Sequence, residues 1–270
     1  MKEFATKAEL FRYLKDNKGT LMAQKKFEMK RADAVSCTAS MHEKKEGAEK
    51  SIEAPEALLM KDVINVRSII NTTNILDGHG DVHIKGLWRK TLNEQKHLYL
   101  LQEHQMTFDH IISDKVSASA NLMAWKDIGV NLEGDTEALV FDSEIEKSRN
   151  PYMFEQYARG YVKSHSVGMR YVQLYLCINS EEKNYMAEKS DWDKYIGDVA
   201  NRDEAEEKGH FWAVTEAKLV EGSAVPFGSN WATPTQSVKE FTEPSNDTRK
   251  DTEPPEGTRK VLFINFLNKI

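Results

Sequence analysis

The sequence predicts a mixed α+β chain: a strand-rich central region with a helical arm before it and a polar tether after it. Three observations carry that expectation. β-Branched and aromatic runs recur through the middle, as in Val63 to Ile70 and Tyr171 to Ile178, and such runs favour strands. The N-terminal stretch instead places Leu10, Phe11 and Leu14 at near-helical spacing, the mark of an amphipathic helix. Beyond Thr235 the chain turns to Pro, charges, Thr, Ser and Asn, a composition that buries little apolar surface.

In order along the chain, a helix is expected from Lys7, capped by Thr6, and Asn17-Lys-Gly19 should break it before Thr20 caps a second helix running to about Arg31. Lys25, Lys26, Lys30 and Arg31 make this arm basic, which fits either a solvated helix face or a docking arm for an acidic partner. Residues His42 to Pro55 read as linker. Val63 to Ile70 should form a long strand, Asn74 to Gly86 a turn-rich connection and Leu87 to Glu94 a short helix. His97 to Leu101 reads as a buried strand running into Gln102-Glu-His104. Strands at Ile111 to Trp125 and Glu137 to Ile145 flank a turn at Asn131 to Asp135. Pro151, at a first helical position, opens a helix ending at Gly160. A strand through the run Gly160 to Arg170 and on to Ile178, and another at His210 to Val225, enclose a charged helical excursion, Ser180 to Lys208. The expected division is an arm and linker at 1–60, a central domain at 61–235, and a disordered linker with an apolar tail, Val261 to Leu267, at 236–270.

Composition narrows the function classes. With 270 residues and 40% hydrophobic content the chain can bury a sizeable core. A formal net charge of -6 gives no whole-chain reason to expect nucleic acid as a partner. Cys37 and Cys177 form no zinc or disulfide spacing, so reduced thiols are expected. No apolar run approaches the ~20 residues of a membrane span, and Met1-Lys-Glu-Phe4 does not open a secretory leader. A soluble cytoplasmic protein without a membrane partner is the expectation.

Chemistry concentrates in three stretches. Gly160 to Arg170 holds Ser164, Ser166 and Gly168 at alternating positions, so one strand face carries all three and the other carries His165. Gly168 leaves room for a close approach. A serine hydroxyl is a poor nucleophile unless a base takes its proton. His104 ends a buried-looking strand, and Glu221 lies near the end of another, Lys218 to Pro226. An imidazole supplies that base, and a carboxylate can hold its tautomer.

These segments resemble the tailed-phage prohead (capsid maturation) serine proteases, whose fold is similar to the herpesvirus assemblin proteases. The resemblance runs from about Ile64 to Ala232 and rests on four segments in order. They are Asp77-Gly-His-Gly-Asp81, Glu103-His104-Gln105, Ser166-Val-Gly-Met169, and Leu219-Val-Glu-Gly-Ser-Ala-Val225 continuing to Asn230. Gln105 stands where the family commonly has Asp, and Met169 where it has an aromatic residue. The resemblance implies a curved, mostly antiparallel sheet or barrel with surrounding helices. It also implies a serine endopeptidase with Ser166 as nucleophile, His104 as base and Glu221 as the orienting carboxylate, and no cofactor or metal. The implied substrates are the scaffolding segment of the major capsid protein and the protease itself, inside the assembling prohead in the host cytoplasm. An oligomer there is compatible with it, and the terminal arms become recruiting segments open to self-cleavage. Ser164 is the alternative nucleophile, and His110 the alternative base. Two other readings stay open: a non-catalytic capsid scaffold protein with a protease-like fold, and a hydrolase holding a metal at His79, Asp81 and His83.

Overall fold

The strand-forming runs assemble into two sheets rather than one. A computed structural model describes residues 4–29, 51–94 and 97–241, Ser51 and Ile52 by their backbone. Lys30, Arg31, Cys37, most of the expected linker at 42–55, the tether from 242 and the apolar run Val261 to Leu267 lie outside the described residues. The first sheet has the order β1 (Ser51–Ile52), β10 (Thr235–Glu240), β2 (Val63–Thr72), β7 (Asp135–Glu146), β6 (Lys115–Ala124). The second has β3 (Asp81–His83), β9 (His210–Val225), β4 (Leu100–Gln102) and β5 (Ile111–Ser113), with β8 (Ser164–Ile178) along the other side of β9. Most pairs are antiparallel; β1 with β10, and β3 and β4 with β9, are parallel. Neither sheet closes into a barrel. The described residues thus form an α+β fold with seven α-helices and ten strands.

The sheets pack face to face across Gly222. A Cβ there would come within 2.6 Å of the Phe141 ring and 3.2 Å of Ile70, so the glycine in β9 lets β7 and β2 approach. Leu100, Val167, Leu139, Leu174 and Trp212 fill the core around this crossing. Helix α5 (Pro151–Ala158), its N-terminus capped by Asn150 Oδ1 accepting from the Met153 N–H at 3.0 Å, buries Phe154 and Tyr157 in the same core. A second cluster places Trp192 and Tyr195 of α6 (Met186–Tyr195) and Ala205 of α7 (Arg202–Lys208) against Phe211 of β9. Helices α3 (Pro55–Leu59) and α4 (Arg89–Glu94) flank the strands.

Three local expectations change. Thr20 lies inside the second helix, which begins at Lys18 without a side-chain cap. The connection at 74–86 contains β3, three buried residues too short to show a period. The stretch after 235 begins as β10, whose apolar anchor is the single buried Val238. This strand and β1 pair outside the expected domain limits of 61 and 235.

The arm is folded against the core. Helix α1 (Lys7–Asp16) buries Phe11 and Leu14, α2 (Lys18–Phe27) follows it directly, and Thr6 Oγ1 accepts from the Glu9 N–H as expected. Lys15 and Lys18 bond Glu188, itself 3% exposed, at 3.3 and 2.8 Å. Lys25 reaches Asp81 at 2.5 Å, a carboxylate with no exposure, and lies 5.7 Å from the Trp212 ring. Of the four basic residues expected to mark the arm, Lys25 is therefore spent on a carboxylate of the same chain, and Lys26 is exposed. Losing a charge-assisted hydrogen bond to a buried carboxylate is costly, so Lys25→Met should destabilise the protein by about 1.5–3 kcal/mol. Urea unfolding of Lys25→Met beside Lys26→Met, at an exposed position of the same helix, measures this. The Lys26 change should stay within about 0.5 kcal/mol, and adding Asp81→Asn should restore most of the Lys25→Met loss.

Candidate active site

Strand register places the site. Antiparallel pairing sets Ser166 opposite Ser223 and Gly168 opposite Glu221, and directly opposed residues share a sheet face. Ser166, Glu221 and Ser223 therefore project together. β4 runs parallel to β9 with Leu101 beside Ser223 and delivers its following turn to the same place. In that turn Glu103 and His104 both adopt left-handed backbone, φ 51° and 59°, a conformation that costs a non-glycine residue roughly 1–2 kcal/mol. Hydrogen bonds hold it: the Glu103 N–H donates to Ala224 O (3.0 Å), and the His104 N–H donates to Ser223 Oγ (3.1 Å). Backbone of this kind persists only where the surrounding structure over-determines it.

The turn brings His104 onto Glu221. His104 Nδ1 lies 2.6 Å from Glu221 Oε1, and Ser223 Oγ donates to Glu221 Oε2 at 2.6 Å. An ionised carboxylate only accepts, so Nδ1 carries the proton and Nε2 of the neutral ring is the lone-pair nitrogen. Nε2 is buried and has no hydrogen-bond partner. All three of His104, Glu221 and Ser223 are at most 5% exposed, and Ser166 is 6% exposed. Glu221 fits only because residue 168 has no side chain. A Cβ there would stand 1.9 Å from Glu221 Oε1.

The structure thus joins His104 and Glu221 directly and puts Ser166 on their face, without a Ser166–His104 hydrogen bond. Ser164 lies one step further along that face, opposite Val225. His110 is turned into a short 3-10 segment, with Nδ1 2.7 Å from Thr107 Oγ1. His165 points to the opposite face, fully buried between Tyr157 Oη (2.9 Å) and Thr233 O (3.2 Å). Burial pushes its pKa down to about 4. The His165 N–H donates to Thr233 O, away from β9. By strand alternation the Val167 N–H also points to that side, away from β9, whereas the Gly168 N–H faces β9.

Ser223 is the site residue that sequence reasoning left without a role. Its signal was alternation: two residues after Glu221, it had to share Glu221's face. A second polar group was also missed. The trio His79, Asp81 and His83 does not converge as metal ligands. Instead His83 Nδ1 meets Asn71 Nδ2 (2.9 Å), His83 Nε2 meets Tyr171 Oη (3.2 Å), and Tyr171 Oη donates to Asp81 Oδ2 (2.8 Å). Burial lowers the His83 pKa. Burial, then the neighbouring Asp81 charge, raises that of Asp77.

Two outcomes are expected. Gly168→Ala should break the His104–Glu221 contact and destabilise the fold by roughly 1–3 kcal/mol; loss of a downfield His104 Nδ1 proton signal together with a lowered urea midpoint would show it. His165, with its folded pKa below its unfolded value, stabilises fully above about pH 6.5 and loses that contribution as pH falls toward 4. The loss is on the order of 3 kcal/mol. His165→Gln should flatten the melting temperature across that window. Compared with known proteins, the chain matches no family model, no curated sequence and no solved structure.

Proposed function

We propose that this chain is a serine endopeptidase. The observation that carries the reading is the buried His104–Glu221 pair at 2.6 Å, whose free Nε2 shares a sheet face with Ser166. In the reaction, His104 Nε2 takes the Ser166 Oγ proton as Oγ attacks the peptide carbonyl. The same proton passes to the leaving amine when the C–N bond breaks. Water, deprotonated by His104, then releases the acyl group and restores Ser166. Glu221, fixed by Ser223, holds the ring tautomer and offsets the imidazolium charge. The Val167 N–H, which points away from β9, is the donor best placed to meet the developing oxyanion. Substrate closes the Ser166–His104 hydrogen bond, as happens where resting sites are loose.

The finer assignment follows the resemblance to prohead proteases. The substrates are then the scaffolding segment of a major capsid protein and the chain itself, inside an assembling phage shell. One observation favours a second reading, a non-catalytic scaffold protein with this fold: no Ser166–His104 hydrogen bond is formed. No described helix is long and apolar enough to cross a membrane, which suits either reading.

Co-expression with the capsid protein separates the two. The wild type should process it, and Ser166→Ala and His104→Ala should each lower the rate by roughly 10³-fold or more. Glu221→Gln should lose roughly 10²–10⁴-fold. A fluorophosphonate probe should label the wild type at Ser166 and leave His104→Ala unlabelled. Processing that survives Ser166→Ala would sink the assignment, and an inert, unlabelled wild type would leave the scaffold reading.

A further inference from the structure

Beside Ser166 lies a cavity of about 20 Å³, bordered also by Asn71, Asp77, His79, His83 and Tyr171. It holds about one polar heavy atom. Hydrogen-bond directions determine what it offers. Asp81, paired with Lys25, can only accept, so the single Tyr171 proton goes to Asp81. The Tyr171 oxygen must then accept from His83 Nε2–H, which leaves His83 Nδ1 as an acceptor for Asn71 Nδ2. Asn71 is fully buried, and its Oδ1 is left without a partner. An orphaned buried acceptor of this kind costs about 1–3 kcal/mol and fits a site whose donor arrives with a ligand. Asp77 adds a second acceptor. Its Oδ1 takes the His79 and Asp81 N–H groups at 2.8 and 2.9 Å, and it forms no ion pair with another described residue.

We propose that this cavity is a binding subsite for a primary ammonium group, which in a bound peptide is a lysine side chain close to the bond presented to Ser166. An ammonium is one heavy atom with three donors and no acceptor. It can meet Asn71 Oδ1 and the Asp77 carboxylate together and offset the Asp77 charge. A hydroxyl brings only one proton, and a carboxylate would face two acceptors. The lysine half of the proposal rests on the endopeptidase reading, whereas the ammonium half does not.

The test titrates isotope-labelled full-length protein with methylammonium, methanol and acetate, following the Asn71 side-chain amide by NMR. Methylammonium should shift it saturably in the wild type. Asp77→Asn, which keeps the Oδ1 that accepts the two N–H groups, should bind about ten-fold more weakly or worse, as expected for a lost charge-assisted hydrogen bond. No saturable shift with methylammonium, or an equal response to methanol or acetate, overturns the subsite. In parallel, cleavage of an unbiased peptide pool should enrich lysine at one fixed position, with the enrichment lost in Asp77→Asn. Cleavage without such enrichment overturns the lysine half. Methylammonium binding by a protein that cleaves nothing overturns the endopeptidase reading and leaves the ammonium site in place.

Discussion

Glu221 occupies the space that a side chain at position 168 would fill, and the candidate site depends on that exchange. With its Oε1 lying where a Cβ would come within 1.9 Å, the carboxylate is held flat over β8 and under the turn after β4. There it meets His104 and Ser223 at once. Two pieces of backbone make this possible: the close pairing of β8 with β9, and the left-handed turn at Glu103 and His104. The turn alone is strained, and the glycine alone is a gap. Together they fix one imidazole orientation with its remaining nitrogen unpartnered, which is the arrangement a general base needs.

Gly222, the next residue of β9, has the matching role on the other side of the strand. It faces the first sheet and admits the Phe141 ring, so β9 has a polar face with Glu221 and Ser223 and an apolar face locked to that sheet. The site is thereby mounted on a strand paired on both edges and buried along most of its length. That support matters for a buried polar cluster, where a loosely held partner would leave charged or polar groups desolvated.

A second buried polar chain runs from the arm into the core: Lys25, Asp81, Tyr171, His83 and Asn71. Its direction is set at one end, because a paired carboxylate can only accept. Every hydrogen bond after it follows, down to the orientation of the Asn71 amide beside the cavity at Ser166. An arm that reads as an appendage by composition thus determines, through one lysine, which atom the core presents more than one side chain away. Removing the arm would leave Asp81 and Glu188 without these lysines, so the arm belongs energetically to the domain it precedes.

By itself the sequence determined the long elements. Val63 to Thr72, Ser164 to Ile178 and His210 to Val225 announce themselves through β-branched content, and α5 through Pro151 and its Asn150 cap. Alternation also sorted the faces of β8, putting Ser166 with Gly168 and His165 on the other side, because the period of a strand is local. What sequence could not decide was anything set by pairing between distant residues. The short strands β3 and β10 exist because β9 and β2 offer them an edge, not because three or six residues carry a period. One barrel or two sheets, the partner of Lys25, and the contact of Glu221 with His104 all depend on register across more than fifty residues. Tertiary structure decided these, because the free energy of a buried hydrogen bond or ion pair belongs to the pair and its surroundings, and neither partner's local sequence contains it.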